Sequence, residues 1–129
     1  MAAPLTLILD DDPSVAHVTN LVFKAAGIKT LVATTASEAV EIWNKHKDEI
    51  ALFVSDNQLG GFVTGEQLVQ IFSSDRPSLK SIILSSSPLD SQFKGRVEGV
   101  DFFQKPWSCG TVLAAARRLL ANRTDMASF

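Results

Sequence analysis

Four short apolar runs in this chain each stop at a group able to do chemistry. Leu5 to Leu9 gives way to Asp10, Asp11 and Asp12, and Ile50 to Ser55 gives way to Asp56. Ser81 to Leu84 is followed by Ser85, Ser86 and Ser87, and Val100 to Phe103 by Gln104 and Lys105. Carboxylates crowded together repel one another, and a hard divalent cation relieves this; Mg²⁺ prefers oxygen ligands and keeps several waters. A cation, an ammonium and a hydroxyl around a carboxylate form a cradle for a phosphoryl group. Metal and lysine neutralise its oxygens, and the carboxylate is the nucleophile.

That chemistry requires the runs to be strands ending at one edge. Their length and uninterrupted apolar character suit strands buried on both faces. Helical patterns separate them. Asp12 and Pro13 suit the cap and first position of a helix whose apolar face is Val15, Val18, Leu21, Val22 and Ala25, stopped by Gly27. After a second strand, Ile28 to Ala33, the stretch Thr35-Ala-Ser-Glu38 has the form of a capping box. It opens a helix with Ala36, Ala39, Val40 and Trp43 on one face. Thr64 caps a helix carrying Leu68, Val69, Ile71 and Phe72, which ends before Pro77. Pro88 to Gly99 reads as one short or irregular helix. Ser108 caps a last helix presenting Val112, Leu113, Ala116, Leu119 and Leu120. The expectation is an α/β fold: a doubly wound, five-stranded parallel sheet with helices on both faces. In such sheets ligands sit beyond the carboxyl ends of the strands.

Composition narrows the function classes. The chain has 129 residues, 46% hydrophobic, and a net charge of -2. This suits one domain over residues 1–122, with 123–129 a loose tail. Near-zero charge gives no reason to expect nucleic acid or an anionic membrane as partner. The apolar start has no basic flank and is too short to be a signal peptide or span. One cysteine, Cys109, suits a reducing cytoplasm. His17 and His46 fall on polar helix faces and are read as neither ligand nor catalyst. The pair Gly60-Gly61 is too weak to be a phosphate loop.

With these residues in view, the chain resembles a response-regulator receiver domain, the CheY-like family of two-component signalling, from about Leu5 to Leu120. The marks are Ile8-Leu-Asp-Asp-Asp-Pro13, Val54-Ser-Asp-Asn-Gln-Leu-Gly-Gly61 closing at Gly65, Ile82-Ile-Leu-Ser85-Ser86, and Phe102-Phe-Gln-Lys105-Pro106. Each is weak alone; four in order at strand ends are specific.

The resemblance implies that Asp56 takes a phosphoryl group from a histidine kinase or histidine phosphotransfer protein. Asp11 then binds Mg²⁺ directly, Asp10 helps through water, and the Gln58 backbone carbonyl completes the protein ligands with Asp56. Lys105 holds a phosphoryl oxygen. Ser85 is the switch hydroxyl, with Ser86 its competitor should the register slip, and Phe102 is the switch aromatic. Phe102 is equally read as core, and Phe103 as core on the opposite face. Switching remodels the surface of the fourth helix, fifth strand and fifth helix for a downstream protein or fused output domain, or for a phosphorylation-dependent homodimer. The chain would catalyse its own phosphorylation and slow dephosphorylation. Gly60 departs from a common proline of the family, which implies a looser loop. The uncharged Gln58 and Ser87 stand at positions that tune dephosphorylation.

Two other classes compete. A phosphorylation-independent pseudo-receiver would act purely as an interaction module. A flavodoxin-like protein would bind a nucleotide or flavin, but three aspartates stand where its phosphate loop belongs and repel a phosphate.

Overall fold

The computed structural model of the chain describes residues 4–61, 63–85, 99–105 and 108–121. The order is β1 (Leu5–Leu9), α1 (Pro13–Ala25), β2 (Lys29–Ala33), α2 (Ala36–His46), β3 (Ile50–Asp56), α3 (Gly65–Asp75), β4 (Lys80–Ser85), β5 (Val100–Gln104) and α4 (Cys109–Ala121). Ser86, Ser87, the helix expected between Pro88 and Gly99, Pro106 and the tail lie outside the described residues.

The five strands form one sheet in the order β2-β1-β3-β4-β5, with every neighbouring pair parallel. The doubly wound sheet expected from the sequence is therefore the fold. One face carries Trp43 of α2 and Leu68, Val69 and Phe72 of α3 over Leu7, Leu9, Phe53 and Ile83. The other carries Phe23 of α1 and Val112, Ala116 and Leu119 of α4 over Ile8, Leu52, Val54 and Ile82. All seven residues of β3 are buried, which explains why its sequence shows no polar alternation.

Local chemistry fixes the helix starts. Asp12 caps α1 by accepting from the Ser14 amide at 2.9 Å, ahead of Pro13. At α3 the box is reciprocal: Thr64 accepts from the Gln67 amide, and the Gln67 side chain accepts from the Thr64 amide. At α2 the return bond reaches one residue further back. Thr35 accepts from the Glu38 amide, but Glu38 accepts from the Thr34 amide at 2.7 Å.

The expected inner face of α1 is corrected. Ala16, Thr19 and Phe23 are buried, whereas Val18 and Leu21 are 55% and 52% exposed. Phe23, a side chain of large apolar area, turns the helix by about one position relative to the Val/Leu stripe. Thr19 is accommodated by donating its hydroxyl to the Val15 carbonyl, 2.9 Å away. Of the apolar residues that α3 carries, Leu68, Val69 and Phe72 are buried, whereas Ile71 is 56% exposed.

Because the strands are parallel, all carboxyl ends share one edge. The chain leaves β1 for β2 and returns to β3 on the other side of β1, so the winding reverses between β1 and β3. A crevice opens at such a reversal. The register pairs Leu9 with Ser55 and Asp56 with Leu84, which brings Asp10 and Asp56 to the same level at that crevice.

Candidate functional site

Asp10, the first residue beyond β1, is 3% exposed, and Asp56, the last of β3, is 6% exposed. Lys105 follows β5 and reaches back across the end of β4. Its Nζ lies 3.2 Å from Asp10 Oδ2 and 3.4 Å from Asp56 Oδ1. The Lys105 amide donates to the Ser85 carbonyl at 2.7 Å, which fixes where the side chain starts. Asp10 Oδ1 accepts from the Asp12 amide at 3.0 Å, so both Asp10 oxygens are engaged.

Asp11 is exposed, and no hydrogen bond or ion pair holds its carboxylate among the described residues. One carboxylate oxygen from each of Asp10, Asp11 and Asp56 lies within 4.8 Å of the others.

The electrostatics follow from this crowding. Burial raises the Asp56 pKa and Lys105 lowers it; Asp10 and Asp11 raise it again, leaving it at about 6. Burial pulls the Lys105 pKa down, but Asp10 and Asp56 outweigh that and the net shift is upward. Among the described residues, three carboxylates thus face one ammonium. The negative excess and the all-oxygen donor set fit a hard divalent cation of the Mg²⁺ kind, and the exposed side of Asp11 leaves room for water ligands.

Ser85 ends β4 beside Asp56 and is 3% exposed. Its Oγ accepts from Gln58 Nε2 at 3.3 Å, so the loop after β3 is tied to the end of β4. Phe102 stands further down β5, paired with Ile83, and packs half-buried against the core under α2 and α3. Phe103 faces the opposite core and is also half-buried. The structure therefore gathers Asp10, Asp11, Asp56 and Lys105 into one cluster, sets Ser85 and Gln58 alongside, and leaves Phe102 a packed neighbour of the strand. His17 and Cys109 are exposed, and His46 contacts Glu49 at 3.1 Å.

Two residues of the motif after β3 have positioning roles that the sequence alone did not assign. Asn57 is 3% exposed and links β3 to α3: its Oδ1 accepts from the Glu66 amide at 3.0 Å and its Nδ2 donates to Glu66 Oε1 at 3.3 Å. Its own amide donates to the Leu84 carbonyl at 2.9 Å. An Asn directly after a strand-ending Asp and eight residues before a capped helix start was the available signal. Gly65 is the other. A Cβ there would collide with the Asp56 carbonyl oxygen, so only glycine lets α3 start against the site.

A family model described as the response regulator receiver domain matches residues 6–117. The chain belongs to the response regulator receiver family. Solved receiver structures agree in fold. A receiver domain protein from Clostridium thermocellum superposes with a TM-score of 0.86 at 18% identity, over 95% of this chain and 98% of that one. A CheY-like receiver from Methanospirillum hungatei JF-1 gives 0.80 at 24% identity, over 97% and 99%. The receiver domain of the Francisella response regulator 1452 gives 0.77 at 28% identity, over 92% and 97%. No curated protein matches the chain. Membership places this receiver in two-component signalling. No helix among its described residues is long and apolar enough to cross a membrane.

Proposed function

We propose that this receiver accepts a phosphoryl group on Asp56 from a phosphohistidine of a kinase or phosphotransfer protein, in a Mg²⁺-dependent reaction. The observation that carries the reading is a nearly buried carboxylate at the sheet's reversal point, 3.4 Å from an ammonium and crowded by two further carboxylates.

An Asp56 oxygen attacks phosphorus as the phosphorus–nitrogen bond to the donor imidazole breaks, and the leaving electron pair goes to that nitrogen. When bound, Mg²⁺ neutralises charge on the phosphoryl oxygens and holds them in place. Asp11, whose carboxylate is unengaged among the described residues, is the direct side-chain ligand together with Asp56, and the Gln58 carbonyl completes the set. Asp10, held by Lys105 and the Asp12 amide, acts through water. Lys105 stands close enough to Asp56 to follow a phosphoryl oxygen once the carboxylate is phosphorylated. Ser85 turns its hydroxyl to another such oxygen, and Phe102 moves inward in response. That alters a face including β5 and α4, which a downstream protein, a fused output domain or a second copy reads.

The test is incubation with acetyl phosphate, with and without Mg²⁺, followed by intact-mass measurement of wild type and Asp56→Asn. Gain of one phosphoryl mass only in wild type and only with Mg²⁺ is expected. No gain under any condition would turn the assignment to a phosphorylation-independent interaction module.

A further inference from the structure

The loop after β3 turns back over the acidic cluster, and at Gly60 it does so with φ +69. That conformation is closed to proline, whose φ is fixed near −65°, and strained for most other residues. The same glycine lies against the cluster. A Cβ built at position 60 would stand 3.1 Å from Asp11 Oδ2, tighter than ordinary contact. The adjacent Gly61 has nothing within 4 Å of such a Cβ and carries no left-handed φ. Two glycines side by side in sequence thus differ in surroundings: one faces open space and the other faces a carboxylate.

We infer that Gly60 is a positioning residue for the cation end of the site, its missing side chain letting the Asp11 carboxylate lie close to Asp10 and Asp56. This rests on the Mg²⁺ reading above. Asp11 has no hydrogen bond or ion pair holding it among the described residues. Its place is therefore set by what surrounds it, and the bare Cα of Gly60 is one wall. Any side chain at 60 moves that wall inward. The carboxylate must then give by a few tenths of an ångström, and a shift away from the point where the three oxygens converge costs the cation ligand geometry. Mg²⁺ is sensitive to this because it demands near-octahedral placement. The loop's other tie, Gln58 Nε2 to Ser85 Oγ, limits how far the backbone can retreat to absorb the added atom.

Strain and contact are separable by choice of substitution. Gly60→Ala carries both the left-handed penalty and the Cβ. Gly60→Asn carries the Cβ, but Asn tolerates the left-handed region better than other residues with a side chain. Gly61→Ala carries neither. Mg²⁺ binding is measured by calorimetric titration of each folded variant, with thermal unfolding in EDTA recording the strain separately. Both position-60 variants are expected to bind Mg²⁺ about tenfold more weakly than wild type, with Gly60→Asn unfolding closer to wild type than Gly60→Ala. Gly61→Ala is expected to bind as wild type does. Wild-type affinity in Gly60→Asn, or equal weakening in Gly61→Ala, would overturn the inference while leaving the Mg²⁺ site intact. Absence of Mg²⁺ binding in wild type would remove the cation reading and this inference with it.

Discussion

The two ends of the sheet treat an aspartate in opposite ways. At the carboxyl end Asp56 is buried among Asp10, Asp11 and Lys105, and its pKa stands raised at about 6. At the amino end Asp75, on the last turn of α3, accepts from Trp43 Nε1 at 2.8 Å and from Lys47 Nζ at 3.1 Å. Those hydrogen bonds, from Trp43 first and then Lys47, lower its pKa. Trp43 in turn stacks on Phe72 with centroids 4.5 Å apart, and Phe72 meets Phe53 edge-on at 5.0 Å. Arg76, next in the chain, donates to the Ile50 carbonyl at 2.8 Å where β3 begins. One end joins α2, α3 and β3 by packing and satisfied polar groups. The other concentrates like charge that folding alone would not favour. The difference teaches where the molecule keeps its stability and where it gives some up for a ligand.

The strongest test of that division is Trp43→Ala. It removes a buried aromatic, its stacking and its bond to Asp75, and should cost about 3–5 kcal/mol in urea unfolding. Mg²⁺ affinity of the folded fraction should stay as it is. A large loss of affinity would mean the two ends are not separate.

Next comes Lys105→Met, which leaves the Asp10 and Asp56 carboxylates without their shared cation. A loss of about 2 kcal/mol at neutral pH is expected from urea unfolding, and it should shrink when combined with Asp56→Asn. The sign follows from the raised Lys105 pKa: its contribution is fully present at neutral pH and is lost only as pH rises through the folded value.

Asp56→Asn should have the opposite sign in EDTA. With the folded pKa raised from 3.8 to about 6, the wild-type carboxyl contributes stability below 3.8 that is lost as pH rises through 6. The variant should therefore be more stable than wild type by about 1–2 kcal/mol at pH 7 and lose that advantage near pH 4. Denaturant titrations across this range provide the check.

The smallest effect belongs to Asp75→Asn. Its lowered pKa contributes stability above the ordinary value that is lost as pH falls through the folded one, so the variant should be slightly less stable at pH 7 and indistinguishable in strong acid. The side chain is 41% exposed, and added salt should reduce the difference further. Thermal unfolding against pH and salt measures both.

The same contrast sorts what the sequence could disclose. Strand ends and helix starts are local matters, and Asp12, Thr35 and Thr64 announce them through cap chemistry that survives out of context. Asp10, Asp56, Ser85 and Lys105 were legible because each terminates an apolar run, and parallel topology sends those ends to one place. The inner face of α1 was less so. Val15, Val18, Leu21, Val22 and Ala25 make a plausible stripe, and only packing of Phe23 on the sheet selects Ala16 and Thr19 instead. Asn57, Gly60 and Gly65 stand inside a quoted motif, but what each does there was not legible, for a related reason. Their roles depend on distances to Glu66, Asp11 and the Asp56 backbone, which no spacing rule reports.

The central claim is that crowded charge at the carboxyl edge awaits a cation. Thermal unfolding of wild type and Asp56→Asn across a Mg²⁺ titration at pH 7 tests it most directly. The account predicts that wild type begins below the variant, rises with Mg²⁺, and meets or passes it, while the variant responds weakly. Two curves that stay flat and parallel as Mg²⁺ increases would contradict it.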